Sequence, residues 1–153
     1  MNFDRYYPCD VLNGEGLRVT LFVTGCHHAC PGCYNASIWN RHLGQPFTPE
    51  VRKEILDLCE SHDGLSLSGG DPLHPANRDE IADLCRRFKE RYLDKDIWMW
   101  TGYLYEDVQH LPFLQDVDVL IDGPFQQDQP NTLPWRGSDN QRLFRLSKGK
   151  FAG

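Results

Sequence analysis

The chain has 153 residues, 40% of them hydrophobic, and its 16 Lys and Arg stand against 22 Asp and Glu for a formal net charge of −6. That length suits one domain around one core, and the acidic balance argues against affinity built on phosphate neutralisation, so nucleic acid is not an expected ligand. No apolar run reaches the roughly 18 residues that cross a bilayer, and the opening "MNFDRYYPCD" lacks the basic flank and apolar core of an export signal, so no membrane partner and a cytoplasmic location are expected.

The N-terminal segment is polar, and its Cys9 has no evident role. "RVTLFVT", from Arg18 to Thr24, is β-branched and apolar and predicts a buried strand. A loop follows, "GCHHACPGCYN", with three cysteines, Cys26, Cys30 and Cys33, inside eight residues; its Pro31 and Gly32 oppose a packed helix. In "TPEVRKEILDLCESH", Thr48 can cap a helix whose first position takes Pro49, and Val51, Ile55, Leu58 and Cys59 share one face. "GLSLS", Gly64 to Ser68, predicts a second strand, followed by the turn "GGDP". In "NRDEIADLCRRFKERY", Asn77 can cap, Asp79 and Glu80 suit the positive helix end, and Ile81, Leu84, Cys85 and Phe88 form the apolar stripe. Strands are expected again at Asp96 to Thr101 and Val117 to Ile121, with a weaker helix from Tyr105 to Leu111 that stops before Pro112.

Strands alternating with helices imply an α/β fold with a parallel sheet and right-handed crossovers. In such folds ligands sit at the carboxyl ends of the strands, where loops and helix N-termini converge. The segments that follow the four strands, "GCHHACPGC", "GGDP", "GY" and "DG", therefore fall on one rim.

Six cysteines without an export signal are expected to be reduced, and Cys59 and Cys85 on helix faces read as small buried hydrophobes. For Cys26, Cys30 and Cys33 two readings compete. Structural zinc needs a fourth protein ligand, which His27, His28 or Cys9 could supply, but zinc ligands commonly come as two separated pairs and no second pair exists here. Three thiolates with no obvious fourth suit a [4Fe-4S] cluster with one iron left open, and ligand number and spacing favour it.

The Cys-x3-Cys-x2-Cys spacing after a first strand resembles the signature of radical S-adenosylmethionine enzymes. Together with "NGEGLRVTLFVTGC", "SLSGGDPLHP", "DIWMWTGY", "DVLIDG" and "WRGSDNQR", from Tyr6 to Arg142, the chain looks like the family of activating components of anaerobic ribonucleotide reductases. The resemblance implies one radical S-adenosylmethionine domain over 1–153, folded as a short partial (βα) barrel open on one side, since a complete eight-fold barrel takes about 250 residues. It implies a [4Fe-4S] cluster held by Cys26, Cys30 and Cys33, with S-adenosylmethionine on the open iron. An electron from that cluster would split the sulfonium, and the resulting radical would take hydrogen from a glycine of the anaerobic ribonucleoside-triphosphate reductase, the protein substrate. The activity would be that of an oxidoreductase of the kind that activates formate C-acetyltransferase, fed by an electron donor such as a flavodoxin. Another small enzyme of the superfamily, acting on a metabolite or a different glycyl radical enzyme, is the alternative.

By the same resemblance Ser68, Gly69, Gly70 and Asp71 contact the methionine amino group, and physically the two glycines allow close backbone approach while Asp71 can attract an ammonium. Gly32, Cys33 and Tyr34 stand where adenine contacts are expected. Glu15 replaces a proline usual in the family's N-terminal turn, and Pro124 stands where a lysine is common. Trp98, Met99, Trp100 and Tyr103 are expected mostly in sheet core rather than as a base-stacking platform, because alternate strand residues point to opposite faces. For residues Leu133 to Arg142, a protein interface and a packed flap over the sheet are both open readings.

Overall fold

In the computed structural model, which describes residues 1–26, 28, 30 and 39–147 and the backbone of 150–151, the four apolar runs become four neighbouring parallel strands. These are β2 (Arg18–Val23), β4 (Gly64–Gly69), β5 (Asp96–Trp100) and β6 (Val119–Asp122). Around them lie β1 (Asn2–Asp10), β3 (Gln45–Pro46), β7 (Arg142–Ser147) and β8 (Lys150–Phe151), in the order β3-β1-β2-β4-β5-β6-β7-β8. The expected parallel sheet is thus corrected at both flanks, since β1 runs antiparallel to β2 and β7 to β6.

The register decides what each face is made of. Leu21, Leu67, Met99 and Leu120 stand side by side across the four parallel strands and are fully buried. They join one core with Ile55 and Cys59 of the first helical segment and Ile81, Leu84, Cys85 and Phe88 of the second. The neighbouring row, Thr20, Ser66, Trp98 and Val119, points to the opposite face. No described helix joins the cluster on that face; the segment after β1 crosses it, with Ser66 Oγ donating to the Asn13 carbonyl and Thr20 Oγ1 to Asp10. Trp98 and Met99 are both fully buried, in agreement with a core role.

Helix α1 (Pro49–Leu58) begins as expected, with Thr48 Oγ1 accepting from Val51 N at 3.2 Å and Pro49 in the first turn. Helix α2 (Arg78–Arg91) carries the predicted buried stripe, but Asn77 does not cap it through its side chain. Its Nδ2 donates instead to the carbonyls of Thr24 and Asp71, because long-range packing offers it buried acceptors. Helix α3 (Tyr105–Val108) is shorter than expected, and Pro112 opens a 3-10 turn, Pro112–Asp116, rather than only ending a helix. No described helix is long and apolar enough to cross a membrane.

Candidate active site at the carboxyl ends of the parallel strands

A cavity of about 360 Å3 opens where the four parallel strands end. Cys26, His28 and Cys30 enter it from beyond β2, Ser68, Gly69 and Gly70 from β4, Trp100, Thr101 and Gly102 from β5, and Gly123 and Phe125 from β6. One rim therefore gathers all four unusual turn sequences. Cys30 is buried and Cys26 half-buried. Cys33, Gly32 and Tyr34, like His27, lie outside the described residues.

The two glycines of "SGGD" are required first by the protein's own backbone. Gly69 has φ +110°, and a Cβ there would run into the Val23 carbonyl; a Cβ on Gly70 would lie 2.5 Å from the Gly25 carbonyl. This closeness lets Gly70 N donate to Val23 O at 2.8 Å and Asp71 N to Gly25 O at 2.6 Å, which sews the β4 turn to the loop that leaves β2. The same glycines form cavity wall.

Asp71 stands behind that wall. It is fully buried and is not among the residues that line the cavity. Its Oδ1 accepts from Leu73 N at 2.9 Å and Thr101 Oγ1 at 2.8 Å, and its Oδ2 accepts from Gly102 N at 3.0 Å and lies 2.7 Å from His28 Nε2. Ser68, Gly69 and Gly70 face the cavity, whereas the Asp71 carboxylate is committed to protein donors. The His28 ring also meets Tyr103 edge-on, with centroids 4.6 Å apart. Burial first, and then the Asp71 charge, push the Tyr103 phenol above its usual range.

The segment before β7 closes the far side. Trp135, Arg136, Gly137 and Gln141 line the cavity there, so residues 135–141 form a packed flap. Trp135 packs edge-on to Trp98 at 5.6 Å, and its carbonyl accepts from Trp100 Nε1 at 2.7 Å. Gln141 Oε1 accepts from Gly137 N at 2.8 Å while its Nε2 donates to Gly123 O at 2.9 Å, and Asn140 Nδ2 donates to the Pro124 carbonyl. Trp135 has φ +66°, the one non-glycine positive φ among the described residues, a strained conformation that this network holds in place. Arg136 donates to the carbonyls of Gln141 and Pro134 and forms no ion pair among the described residues. It is the basic guanidinium of the cavity wall. The "WRGSDNQR" motif signalled this segment, but its place in the wall depends on contacts with β5 and β6.

The ligand atoms of Cys26, His28 and Asp71 lie within 4.8 Å of one another. A mononuclear metal there would have to displace a donor from Asp71. Soft thiol donors opening on a roomy, glycine-walled cavity suit an iron–sulfur cluster. The family described as a 4Fe-4S single cluster domain matches residues 12–144, which makes the chain a single-cluster iron–sulfur protein by class. It is 54% identical over 151 residues to the anaerobic ribonucleoside-triphosphate reductase-activating protein of Enterobacteria phage T4, covering 97% of each chain. It is 49% identical to the protein of that name from Haemophilus influenzae and 46% to that from Pasteurella multocida, covering 95% and 97% of this chain and 99% of each relative. The chain belongs to the family of anaerobic ribonucleoside-triphosphate reductase-activating proteins.

Proposed function

We propose that the protein is a radical S-adenosylmethionine activating enzyme that generates the glycyl radical of the anaerobic ribonucleoside-triphosphate reductase. One observation carries this: two described cysteines of the Cys-x3-Cys-x2-Cys loop open on the same cavity as the Ser68–Gly69–Gly70 turn, at the carboxyl ends of four parallel strands. Cys26, Cys30 and Cys33 hold a [4Fe-4S] cluster as thiolates. When bound and reduced, the cluster supplies the electron that splits S-adenosylmethionine into methionine and the 5'-deoxyadenosyl radical, which takes hydrogen from a glycine of the reductase.

The chain's own residues bind, orient and exclude water. Ser68 and the backbone of Gly69 and Gly70 receive the methionine amino group, Gly32 and Tyr34 the adenine. Arg136 answers the methionine carboxylate, for which a guanidinium supplies charge and a forked donor set. Trp135 of the flap and Phe125 beyond β6 give the cavity an apolar wall that disfavours water. Four parallel strands are half the number of a closed (βα) barrel, and we read 1–153 as one such partial barrel, open on one side. The open side admits a loop of a folded partner, so the reductase binds in a conformation that exposes its glycine. A flavodoxin-type donor supplies electrons, and the enzyme is an oxidoreductase of the kind that activates formate C-acetyltransferase.

The test is anaerobic reconstitution with iron and sulfide, then electron paramagnetic resonance with and without S-adenosylmethionine, then assay of the glycyl radical on added reductase. A spectrum altered by S-adenosylmethionine and a radical on the reductase are expected. Zinc in anaerobically purified protein, or activation that survives Cys26→Ala, Cys30→Ala or Cys33→Ala, would overturn the assignment.

A further inference from the structure

His28 is the middle residue between Cys26 and Cys30, and none of these three described residues lies in a helix or strand. We propose that His28 and Asp71 form a positioning pair that fixes this stretch, and with it the spacing of the two thiols, while Asp71 takes no part in binding the ligand ammonium. The proposal rests on the cluster-binding function argued above.

The ring of His28 is gripped on three sides. Its Nε2 lies 2.7 Å from Asp71 Oδ2, Tyr103 closes on it edge-to-face, and Gly102 lies against it, where any Cβ would collide with the imidazole. Gly102 is therefore small because His28 is there. Its other polar contact makes the same point, since Gly102 N donates to the carboxylate that holds the ring.

A carboxylate has about four lone-pair sites. Asp71 fills them with Leu73 N–H, Thr101 O–H, Gly102 N–H and His28. A carboxylate oxygen accepts, so His28 Nε2 is the donor. Through this carboxylate the stretch beyond β2 is tied to the turn after β4 and the turn after β5. The aspartate is itself anchored: its N–H donates to Gly25 O, and its carbonyl accepts from Asn77 Nδ2 and His74 N. A fully buried carboxylate persists only when its acceptors are satisfied, which makes this arrangement the reason for Asp71. A ligand ammonium or a divalent ion at Asp71 would have to expel a donor.

The experiment uses the full chain, reconstituted anaerobically with iron and sulfide, in wild type and His28→Ala, His28→Gln, Asp71→Asn, Gly102→Ala and His28→Ala/Asp71→Asn. It reads the rate of iron loss to a chelator, the paramagnetic linewidth of the reduced cluster, and the S-adenosylmethionine concentration that half-saturates the spectral change. His28→Ala, Asp71→Asn and Gly102→Ala are each expected to speed iron loss about tenfold or more and broaden the spectrum, the usual cost of removing a support behind a ligand. The double variant is expected to be no worse than the poorer single one, because one contact is lost once. His28→Gln, whose amide can still donate to Asp71, is expected to recover part of the loss. In Asp71→Asn, whose side chain stands behind the cavity wall, half-saturation in the loaded fraction is expected to stay within about threefold of wild type.

Unchanged iron loss in His28→Ala overturns the pair. So does a tenfold weaker S-adenosylmethionine response in Asp71→Asn with iron retention intact, which would make Asp71 an ammonium ligand. Stoichiometric zinc binding abolished by Asp71→Asn would make the trio a metal site and overturn it as well. If Asp71→Asn fails to fold, His28→Ala and Gly102→Ala decide. A wild-type protein that takes up no cluster would sink the functional reading instead; the pair is then judged by hydrogen exchange at Cys26 in the apoprotein, expected to quicken in His28→Ala and refuted by no change.

Discussion

The Arg18 guanidinium lies beside the ring of Trp98, 5.5 Å from its centroid, with the whole side chain buried. It donates to Ser66 Oγ at 2.7 Å and to the carbonyls of Glu15, Leu65 and Asp96, and its Nη1 is 2.8 Å from Asp96 Oδ1, an ion pair off the hydrogen-bonding direction. One cation thus joins the loop after β1 to β4 and β5. Arg18→Met keeps the bulk but strands several buried acceptors, and a loss of about 3 kcal/mol or more is expected in urea unfolding of the apoprotein. Asp96→Asn is expected to cost less than Arg18→Met, since it keeps the side-chain shape and leaves the four Arg18 hydrogen bonds to Ser66, Glu15, Leu65 and the Asp96 carbonyl in place. Equal losses in the two variants would mean that the ion pair, rather than the donor set, matters.

Arg136 holds its place through two backbone carbonyls, which leaves donors and a full charge for a ligand. Arg136→Ala is expected to weaken S-adenosylmethionine binding about tenfold, or about 1.4 kcal/mol, in a spectroscopic titration of the reconstituted protein. Decarboxylated S-adenosylmethionine should bind wild type and Arg136→Ala alike. A variant that weakens both ligands equally would remove Arg136 from the carboxylate.

Arg142 grips Glu106 through Nη1 and Nη2, at 2.9 and 2.7 Å, and also bonds to the buried Asp122. The Arg142 hydrogen bond, ahead of smaller contributions, draws the Glu106 carboxyl down from 4.5 to about 2. A folded-state pKa below the unfolded one stabilises the protein above about pH 4.5, and that contribution fades as pH falls toward about 2. Glu106→Gln should therefore flatten the fall in melting temperature across this window. High salt should shrink the difference, because Glu106 is at the surface. A Glu106→Gln curve parallel to wild type would contradict this.

Burial pushes the Cys59 thiol up to about 12, and burial raises Cys85 as well. At pH 8 only about one Cys59 in 10,000 is then thiolate, the reactive form. Brief iodoacetamide treatment of the native apoprotein, read by mass spectrometry, should label the exposed Cys9 and spare Cys59 and Cys85. Cys59→Ser and Cys85→Ser should still take up iron and sulfide. Early labelling of Cys59 would show that the α1 packing opens readily.

Strand β1 had no legible pattern because its pairing with β2 shifts between Phe3 and Arg5 and again between Tyr7 and Asp10, which breaks the alternation of two. Pro8 also argues against a strand, but β3 pairs only with Asn2 and Phe3, so Pro8 sits where β1 is an edge. The first three members of the Ser68–Asp71 turn reach the cavity as the motif suggests, while the fourth turns away from it.

Periodicity and turn chemistry determined the four apolar strands and the two long helices, because these depend on residues close together in the chain, and the alternation of strand and helix implied that the cysteine loop and the glycine turn share one rim. Tertiary structure decided where the buried polar groups spend their hydrogen bonds. Asp71 finds its partners 30 residues away in Thr101 and 43 away in His28, and Asn77 leaves its helix for a carbonyl at Thr24. A buried donor or acceptor must be satisfied by whatever the packed chain brings within reach, and that is settled only once distant strands lie side by side.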